Sequence, residues 1–371
     1  MKRIKERWVV KVGSSLISGN DEGINKLFIL NLVSQVNYLL NHNIEIIIIS
    51  SGAVAKGMHE LKLSERPSSL HLLQAAAAVG QLGLVNCYQK AFNEFKLKAA
   101  QVLISHDDIA DRERYLNSRR SLQTLIALGV IPIVNENDSV ATEEITFGDN
   151  DMLAGALSGL ISADKLIILT DQQGVCDSDP KENKSADLIP LIDLDQDKEN
   201  IDKLMEGTSG ILGRGGIKTK IKACSLALEF GAKTLIADGR EEDTLISILK
   251  GHKIGTSLIS QRAILPSRKQ WIASQGSPSG NLTLDEGAVE AISNRGGSLL
   301  PVGVKEVNGD FARGSLLICL DTIGNEVARG LSNFSSEELL KIRGKRSKEV
   351  LEELGYPTDE EVIHRDNLIL N

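Results

Sequence analysis

The chain has 371 residues, of which 42% are hydrophobic and 25% charged, and its formal net charge at pH 7 is −8. This length exceeds what one ordinary core supports and predicts two domains, and the composition is that of a soluble globular protein rather than a disordered or repetitive one. The negative charge disfavours broad binding to nucleic acid or to acidic lipid.

The sequence predicts neither a signal peptide nor a membrane span. Its basic start is followed by only three apolar residues, Trp8 to Val10, before Lys11, and the longest apolar runs fall far short of the ~18 residues of a spanning helix. The four cysteines and six histidines are scattered, so no disulfide framework, zinc site or histidine-based triad is predicted. We expect a reducing, cytoplasmic location.

Short β-branched runs alternate with longer segments of helical period from residue 7 to about residue 260, which is typical of parallel βαβ units. The predicted strands are Trp8–Val12, Ile44–Ser50, Ala99–Ile104, Val130–Val134, Lys165–Thr170 and Lys233–Ala237. The predicted helices are Ile24–Asn41, Leu70–Phe95, Tyr115–Leu128, Asp151–Leu160 and Ile217–Phe230. They predict an α/β domain with an open, mostly parallel sheet, helices on both faces, and ligands at the carboxyl ends of the strands.

The alternation stops near Gln261, and the segment Gln275 to Gly280 has the composition of a linker. Short strand-like runs separated by glycine turns follow and predict a small, mostly β domain. We therefore predict domains at residues 1–262 and 275–371. From Ile272 onward the chain has ten basic and sixteen acidic residues, a net charge of −6.

The ends of the first two predicted strands suit anions. Lys11 lies in the first strand and precedes a Gly-Ser-Ser turn whose backbone N–H groups suit a phosphate. Alternatively, Lys11 is a solvated edge residue. The second strand runs into Ser50, Ser51 and Gly52 before a helix, where backbone amides hold carboxylates or phosphates. Steric needs of the turn alone also explain these small residues.

A glycine-rich segment at residues 209–220 opens the helix that carries Lys218, Lys220 and Lys222. It matches neither the Walker A nor the dinucleotide-binding pattern, which leaves other phosphate cradles open. In the alternative interpretation the lysines form a solvated helix face, although a spacing of two residues does not favour one face. Asp171, after the strand that ends at Thr170, faces a ribose or a metal-bound phosphate, or is only a turn former.

Two polar clusters surround the segment after the fourth predicted strand. Asn135-Glu136-Asn137-Asp138 follows the strand directly, and Gly148-Asp149-Asn150-Asp151 opens the next helix. This mixture of amides and carboxylates suits a ligand that has both an ammonium group and a carboxylate. The two aspartates near an anion-binding loop would also hold magnesium or orient lysines. The alternative is a polar loop before a capped helix.

In combination these motifs resemble the glutamate 5-kinases of the amino acid kinase family. The resemblance rests on the order and spacing of Val9–Ser15, Ser50–Ala55, Asp111–Asn117, Val134–Asp138, Phe147–Asp151 and Leu169–Gln172. From about Ser279 the chain resembles the PUA domain of bacterial members, at Asp285–Ala288 and Gly296–Pro301. It departs from the family pattern in Gly213–Ile217, where Gly-Thr-Gly-Gly-Met is usual, and in Val175-Cys176, where Leu-Tyr is usual.

The resemblance implies the amino acid kinase fold and ATP-dependent phosphorylation of the side-chain carboxylate of L-glutamate, the first step of proline biosynthesis. Glutamate would be bound by Ser51, Asn135, Asp138 and Asn150. Lys11 and Lys220 would flank the transferring phosphoryl group, and Asp151 would orient both. ATP would be held by Lys11, Thr170, Asp171, Arg214, Gly215, Gly216, Ile217, Lys218, Thr219 and Lys220, with Mg²⁺ on its phosphates and no metal ligand from the protein.

The chemistry of this reaction agrees with the scattered histidines. The attacking carboxylate has a pKa near 4.3 in water, so it is ionised at pH 7 and needs no general base. The resemblance also implies feedback inhibition by proline, a homo-oligomer (dimer or tetramer), and transfer of the labile product to glutamyl phosphate reductase.

Two other functions stay open at this point. The first is another phosphotransferase of the same family, acting on acetylglutamate, aspartate, carbamate or a nucleotide; the PUA-like tail and the cluster at 135–138 favour free glutamate. The second is RNA binding through the PUA-like domain, which its charge of −6 disfavours. Five basic residues are nevertheless crowded into residues 341–348, as a contact patch or a solvated helix end: Lys341, Arg343, Lys345, Arg346 and Lys348.

Overall fold

The computed structural model describes residues 6–19, 23–140, 150–178, 180, 183, 185–197, 216–260, 278–355 and 360–370. The chain divides into two compact units, Met1–Ile264 and Leu265–Asn371. The predicted domain limits, residues 262 and 275, lie outside the described residues.

The first unit is built on an eight-stranded sheet. Its strands are β1 (Glu6–Val12), β2 (Ile44–Ser50), β3 (Lys98–Ile104), β4 (Val130–Glu136), β5 (Lys165–Thr170), β6 (Leu191–Asp193), β7 (Lys233–Asp238) and β8 (Thr256–Ile259). Their order is β3-β4-β2-β1-β5-β7-β8-β6, and the one antiparallel pairing among them is that of β7 with β8. The predicted α/β class with a mostly parallel sheet is therefore confirmed.

Nine described helices accompany this sheet. They are α1 (Ser14–Ile17), α2 (Lys26–Asn41), α3 (Ala53–Glu60), α4 (Leu70–Glu94), α5 (His106–Ala110), α6 (Arg112–Ala127), α7 (Asn150–Leu160), α8 (Ile217–Glu229) and α9 (Thr244–Leu249). In β1, Val10 and Val12 belong to the core that α2 covers, and the alternating residues Val9 and Lys11 are buried too. Because successive side chains of a strand point to opposite faces, the sheet is covered on both.

Strand β1 is the topological switch point of the sheet, where the order in which strands are added reverses. Strands β2 to β4 lie on one side of it, and β5 to β8 lie on the other. In open α/β sheets the crevice at such a switch point, at the carboxyl ends of the strands, is the usual ligand site. The ends of β1, β2, β4 and β5 are thus the ends that matter for function.

Two helix crossings near this crevice depend on glycine. A Cβ on Gly80 of α4 would lie 1.9 Å from the carbonyl oxygen of Ala53 in α3, and one on Gly57 would lie 1.7 Å from that of Ala76. A Cβ on Gly155 of α7 would lie 2.7 Å from the carbonyl oxygen of Ala223 in α8. The missing side chains let each pair of backbones come into direct contact.

Helix α4 is, within the described part of the chain, the one helix long and apolar enough to cross a membrane by length and composition. A core helix of a soluble domain passes the same test. Its packing against α3, and the hydrogen bond from the hydroxyl of Tyr88 to Ser50 in β2 (3.0 Å), join it to the sheet domain.

The second unit has its own sheet and core. Strands β9 (Gly280–Leu284), β10 (Val304–Asn308), β11 (Leu316–Leu320), β12 (Glu326–Leu331) and β13 (Leu368–Leu370) are ordered β10-β9-β11-β12-β13. The pairing of β9 with β11 is parallel, and the other three pairings are antiparallel. Its helices are α10 (Glu286–Arg295), α11 (Ser336–Ile342) and α12 (Ser347–Leu354). This agrees with the predicted small, mostly β domain.

Part of the basic segment at residues 341–348 is engaged by acidic side chains. Lys345 forms an ion pair with Glu353, and the backbone N–H of Arg346 donates to the carboxylate of Glu349 at the start of α12, at 2.7 Å. These contacts are those of a solvated helix end, one of the two interpretations that the sequence left open.

Candidate active site

Two lysines and an aspartate meet at the carboxyl ends of the central strands. The Nζ atom of Lys11 lies 2.6 Å from Oδ1 of Asp151, and the Nζ atom of Lys220 lies 3.0 Å from Oδ2. The hydroxyl of Thr219 also donates to Oδ2, at 3.0 Å. Asp151 is 0% exposed and Lys11 2%, whereas the side chain of Lys220 is 13% exposed. The cluster is therefore buried at Asp151 and Lys11 and reaches the surface at Lys220.

The fold explains how these three residues come together. Lys11 lies on the central strand β1, in register with Ile49 of β2 and Ile168 of β5, so it is no solvated edge residue. Asp151 lies in the first turn of α7. Lys220 is in α8, whose backbone touches α7 at Gly155, one helical turn after Asp151.

A chain of side-chain amides lies next to the cluster. The Nδ2 atom of Asn150 donates to Oδ1 of Asn135 (2.9 Å), and Nδ2 of Asn135 donates to Oε1 of Gln81 (2.8 Å). All three side chains are buried. We call Gln81, Asn135 and Asn150 the amide relay. It connects α7, β4 and α4 at the crevice.

The amide relay is attached to the end of β2. Nδ2 of Asn150 lies 3.0 Å from the hydroxyl of Ser51 and 3.3 Å from the backbone carbonyl of Ser50. Gly52 follows in the left-handed conformation (φ 105°) and α3 begins at Ala53. The first amides of α3 therefore follow directly on Ser51, where a carboxylate is favourably bound.

The remaining strand ends provide backbone and hydroxyl groups. The N–H of Gly13 donates to the carbonyl of Leu169 at 3.0 Å, which holds the end of β1 against β5. Thr170, the last residue of β5, is buried, and its hydroxyl lies 3.3 Å from Oδ1 of the half-buried Asp171. This strand end lies on the side of β1 opposite to Ser51.

Within the described residues, the structure joins seven of the fifteen predicted site residues by direct contacts. Lys11, Asp151, Thr219 and Lys220 form the charged cluster, and Ser51, Asn135 and Asn150 are joined by the hydrogen bonds given above. Asp138 is half-buried in the turn after β4. Strand β4 extends to Glu136, so Asn135 belongs to the strand rather than to a loop after it.

The three lysines of α8 differ in their surroundings. Lys220 is joined to Asp151, whereas Lys218 and Lys222 are exposed. Gly216 is the N-cap of α8 and Ile217 its first residue. Arg214 and Gly215, also predicted to hold ATP, lie outside the described residues.

Helix α4 supplies two residues that the sequence analysis did not identify. Gln81 ends the amide relay, and the hydroxyl of Tyr88 donates to Ser50. They are seven residues apart and share a helix face, and burial raises the pKa of Tyr88 above its ordinary value. The one signal in the sequence was that Gln81 is the single polar side chain between Ala75 and Val85 of this helix.

The charged cluster is arranged for an anion rather than for a protein-held metal ion. Each oxygen of Asp151 contacts a lysine ammonium. In the described part of the chain, no group of three or more His, Cys, Asp or Glu side chains is placed to hold a metal ion.

Comparison with known proteins defines the class of this protein. The family model of the amino acid kinase family matches residues 6–238, and that of the PUA domain matches residues 280–354. The chain belongs to the amino acid kinase family, and it is a kinase with a C-terminal PUA domain.

Its relatives narrow the group within that family. The chain is 47% identical to the glutamate 5-kinase of Pseudomonas savastanoi pv. phaseolicola over 98% of this chain and 99% of that one. It is also 47% identical to the glutamate 5-kinase of Saccharophagus degradans, over 98% of this chain and 97% of the other. Among solved structures, a UMP kinase from Ureaplasma parvum matches with a TM-score of 0.47 and 18% identity, over 69% of this chain and 99% of that chain.

Proposed function

We propose that this protein transfers the γ-phosphoryl group of ATP to the side-chain carboxylate of L-glutamate, as the first step of proline biosynthesis. The observation that carries the proposal is the buried Lys11–Asp151–Lys220 cluster beside the amide relay. The cluster suits a transferring phosphoryl group, and the amide relay suits an amino acid. The relatives named above are glutamate 5-kinases.

The reaction brings two anions together, and the charged cluster opposes their repulsion. The carboxylate of glutamate is ionised at neutral pH, so no residue has to remove a proton from it. Two ammonium groups held at fixed positions stabilise the charge that spreads over the phosphoryl oxygens in the transition state. Asp151 fixes both ammonium groups through its two oxygens.

The acceptor would lie between the charged cluster and the amide relay. Ser51 and the first amides of α3 suit a carboxylate, whereas Asp138 and Oδ1 of Asn150 suit the α-ammonium group. Within the described residues, the hydrogen bonds of the Asn150 side chain all use Nδ2, which leaves Oδ1 as an acceptor. This arrangement directs the side chain of glutamate toward the lysines.

ATP would approach from the β5 side of β1, held by Thr170, Asp171, Lys11 and the start of α8 at Gly216 to Lys220, with Arg214 and Gly215 from the preceding segment. Mg²⁺ would be bound by the ATP phosphates and would supply further positive charge to them. The residues of this chain hold the nucleotide and orient it.

The acceptor is tested by an ADP-release assay with a panel of substrates. L-Glutamate, acetylglutamate and L-aspartate are each supplied with ATP and Mg²⁺. We expect kcat/KM for L-glutamate to exceed that for acetylglutamate by at least about 100-fold, because acetylation removes the ammonium group for which the site has acceptors. It should exceed that for L-aspartate by at least about 10-fold, because aspartate is one methylene shorter and its side-chain carboxylate falls short of the lysines. Faster turnover of acetylglutamate or aspartate contradicts the proposal.

We also propose proline as a feedback inhibitor, because its secondary ammonium and α-carboxylate match the amino acid end of glutamate. Proline should compete with glutamate, and Asn150→Ala should weaken this inhibition in a protein that still folds. Inhibition by proline that is independent of the glutamate concentration would exclude a shared site.

Three further parts of the proposal concern the surroundings of the enzyme: a homo-oligomer (dimer or tetramer), transfer of the product to glutamyl phosphate reductase, and a cytoplasmic location. The four cysteines, all free, suit a reducing compartment. Light scattering measures the oligomeric state.

A further inference from the structure

Gln81 has a buried hydrogen-bond donor that the described residues leave unused. Its side chain is 7% exposed, and Oε1 accepts the bond from Asn135. No partner for Nε2 is found within the described residues. A buried amide N–H without a partner costs about 1–3 kcal/mol, so such a group calls for an explanation.

The direction of the amide relay shows that this group is a donor. The backbone carbonyl of Ser50 only accepts hydrogen bonds, so the atom of Asn150 that faces it must be Nδ2. Asn135 must then present its oxygen to Asn150 and its nitrogen to Gln81. Gln81 must in turn present its oxygen to Asn135. The amide orientations are thus fixed from an obligatory acceptor, and the relay ends in an NH₂ group.

The end of the relay at which this donor lies identifies the part of the substrate it faces. Asn150 directly precedes Asp151 in α7, so the start of this helix joins the Asn150 end of the relay to the charged cluster. Gln81 is two amide groups further away. A donor two amide groups away from the Asn150 end is placed for the end of the substrate that does not react, which carries the α-carboxylate.

We propose that Nε2 of Gln81 donates a hydrogen bond to the α-carboxylate of the amino acid substrate, and that Gln81 is a specificity-determining residue. This inference rests on the proposed function. The relay then offers an acceptor, Oδ1 of Asn150, to the α-ammonium group and a donor, Nε2 of Gln81, to the α-carboxylate. Two groups of opposite polarity on one chain of hydrogen bonds recognise a free amino acid.

The close crossing of α3 and α4 places Gln81 at this position. Gly80, the residue before it, lies against the carbonyl of Ala53 at the start of α3, where no side chain fits. This contact places the backbone next to Gln81 at the start of α3, the helix that follows Ser51, and the Gln81 side chain extends to Asn135. A carboxylate bound there would meet backbone amides and the Gln81 amide together.

The test compares two variants of Gln81 with a matched control. Gln81→Glu keeps an oxygen for Asn135 but replaces the donor by a negatively charged acceptor, and Gln81→Met removes both functions at similar volume. Gln89→Glu introduces the same charge in the same helix, at a side chain that accepts from the N–H of Ala99. The readouts are kcat, KM for glutamate, KM for ATP and the melting temperature.

We expect KM for glutamate to rise about 10- to 100-fold in Gln81→Met, the value of one hydrogen bond to a charged group. In Gln81→Glu it should rise further, because two carboxylates repel. KM for ATP should change less than about threefold, and Gln89→Glu should behave as the unchanged protein. A folded Gln81 variant with unchanged KM for glutamate overturns the inference, even if its melting temperature falls.

A measurement on the unchanged protein covers the case in which the variants do not fold. 4-Aminobutanoate is glutamate without its α-carboxylate. Its inhibition constant against glutamate should be at least about 10-fold higher than KM for glutamate. Equal competition overturns the inference. If the unchanged protein releases no ADP with glutamate, the proposed function fails instead, so the two failures are distinguishable.

Discussion

Asp151 is completely buried and holds two lysine ammonium groups on its two oxygens. Burying charged groups costs desolvation free energy, and the attraction within a buried ion pair often does no more than offset this cost. A fully buried carboxylate that holds two ammonium groups at the crevice of the sheet is better explained by the chemistry of a bound anion than by stability. The buried charges therefore belong to the chemistry rather than to the stability of the domain.

Replacing either lysine tests its role in the transition state. We expect Lys11→Met and Lys220→Met to reduce kcat by at least about 100-fold, with a smaller change in KM for glutamate, since each ammonium acts mainly on the developing phosphoryl charge. Lys222→Met, an exposed lysine of the same helix, is the control and should retain activity. Steady-state kinetics decide, and equal losses in KM would indicate a role in binding instead.

Asp151→Asn tests whether the aspartate orients the lysines. The variant is nearly isosteric but removes the anion shared by the buried ammonium group of Lys11 and the part-buried one of Lys220; breaking a buried ion pair costs about 3–5 kcal/mol. We expect a lower melting temperature together with a loss in kcat of at least about 100-fold. Asp164→Asn, where the carboxylate accepts the N–H of Arg7, is the control. Unchanged kcat in a folded Asp151→Asn protein would exclude the orienting role.

Single residues differed in how far the sequence predicted them. Lys11 was singled out by its Gly-Ser-Ser turn, and Asn135, Asn150 and Asp151 by the mixture of amides and carboxylates at strand and helix ends. The roles of Lys11, Asp151 and Lys220 in phosphoryl transfer came from the family resemblance. Gln81 was missed, because nothing in a helical pattern distinguishes a core glutamine from one that ends a hydrogen-bond chain. That distinction depends on contacts between residues 54 positions apart.

Helix α7 carries the site because it packs against α8 without an intervening side chain. Asp151 and Gly155 are one turn apart on α7, and Thr219 and Ala223 are one turn apart on α8. The glycine contact therefore lies one turn below the polar contact of the same two helices. A side chain added at Gly155 should therefore separate the helices and disturb the contacts of Asp151 with α8.

Gly155→Ala tests this coupling. The new Cβ would lie 2.7 Å from a backbone oxygen, so the helices must separate, at about 1–3 kcal/mol for overpacking. We expect a lower melting temperature and at least about a tenfold lower kcat as Lys220 moves from Asp151. In the control Gly287→Ala, in α10, the nearest atom is at 3.4 Å, and a small gain in stability is expected. An unaffected kcat in Gly155→Ala would show that the crossing does not position the lysine.

The predicted elements of the first unit agree with the structure to within a few residues. Ile44–Ser50 and Lys165–Thr170 were predicted with the observed bounds, since long β-branched runs bounded by polar residues are a strong strand signal. The short strands β6, at the edge of the sheet, and β8, next to it, were not predicted. Three or four residues carry too little periodicity to separate a strand from a loop.

Each of the two units has a hydrophobic core of its own, and each core holds a buried free thiol. Burial raises the pKa of Cys224 in the first unit and of Cys319 in the second to about 12. At pH 8 a thiol of this pKa is a thiolate in about one molecule in 10⁴, against roughly one in four for an exposed cysteine.

Alkylation with iodoacetamide at pH 8 should therefore be at least about 10³-fold slower for both thiols in the folded protein than in the unfolded chain. The pKa of both thiols is about 12 in the folded protein and about 8.5 in the unfolded chain. Their contribution to the free energy of unfolding is therefore complete below about pH 8.5 and declines as the pH rises above that value. Mass spectrometry of labelled peptides along a urea gradient measures each unit separately. Rapid labelling of either thiol without urea would contradict the buried cores.

The central claim is that the Lys11–Asp151–Lys220 cluster transfers a phosphoryl group to the side-chain carboxylate of glutamate. The most direct measurement traps the product with hydroxylamine, because an acyl phosphate reacts to a stable hydroxamate. The protein with ATP, Mg²⁺ and L-glutamate should form γ-glutamyl hydroxamate in proportion to ADP, and Lys11→Met should form at least about 100-fold less. ADP release without hydroxamate, or equal hydroxamate from Lys11→Met, would contradict the claim.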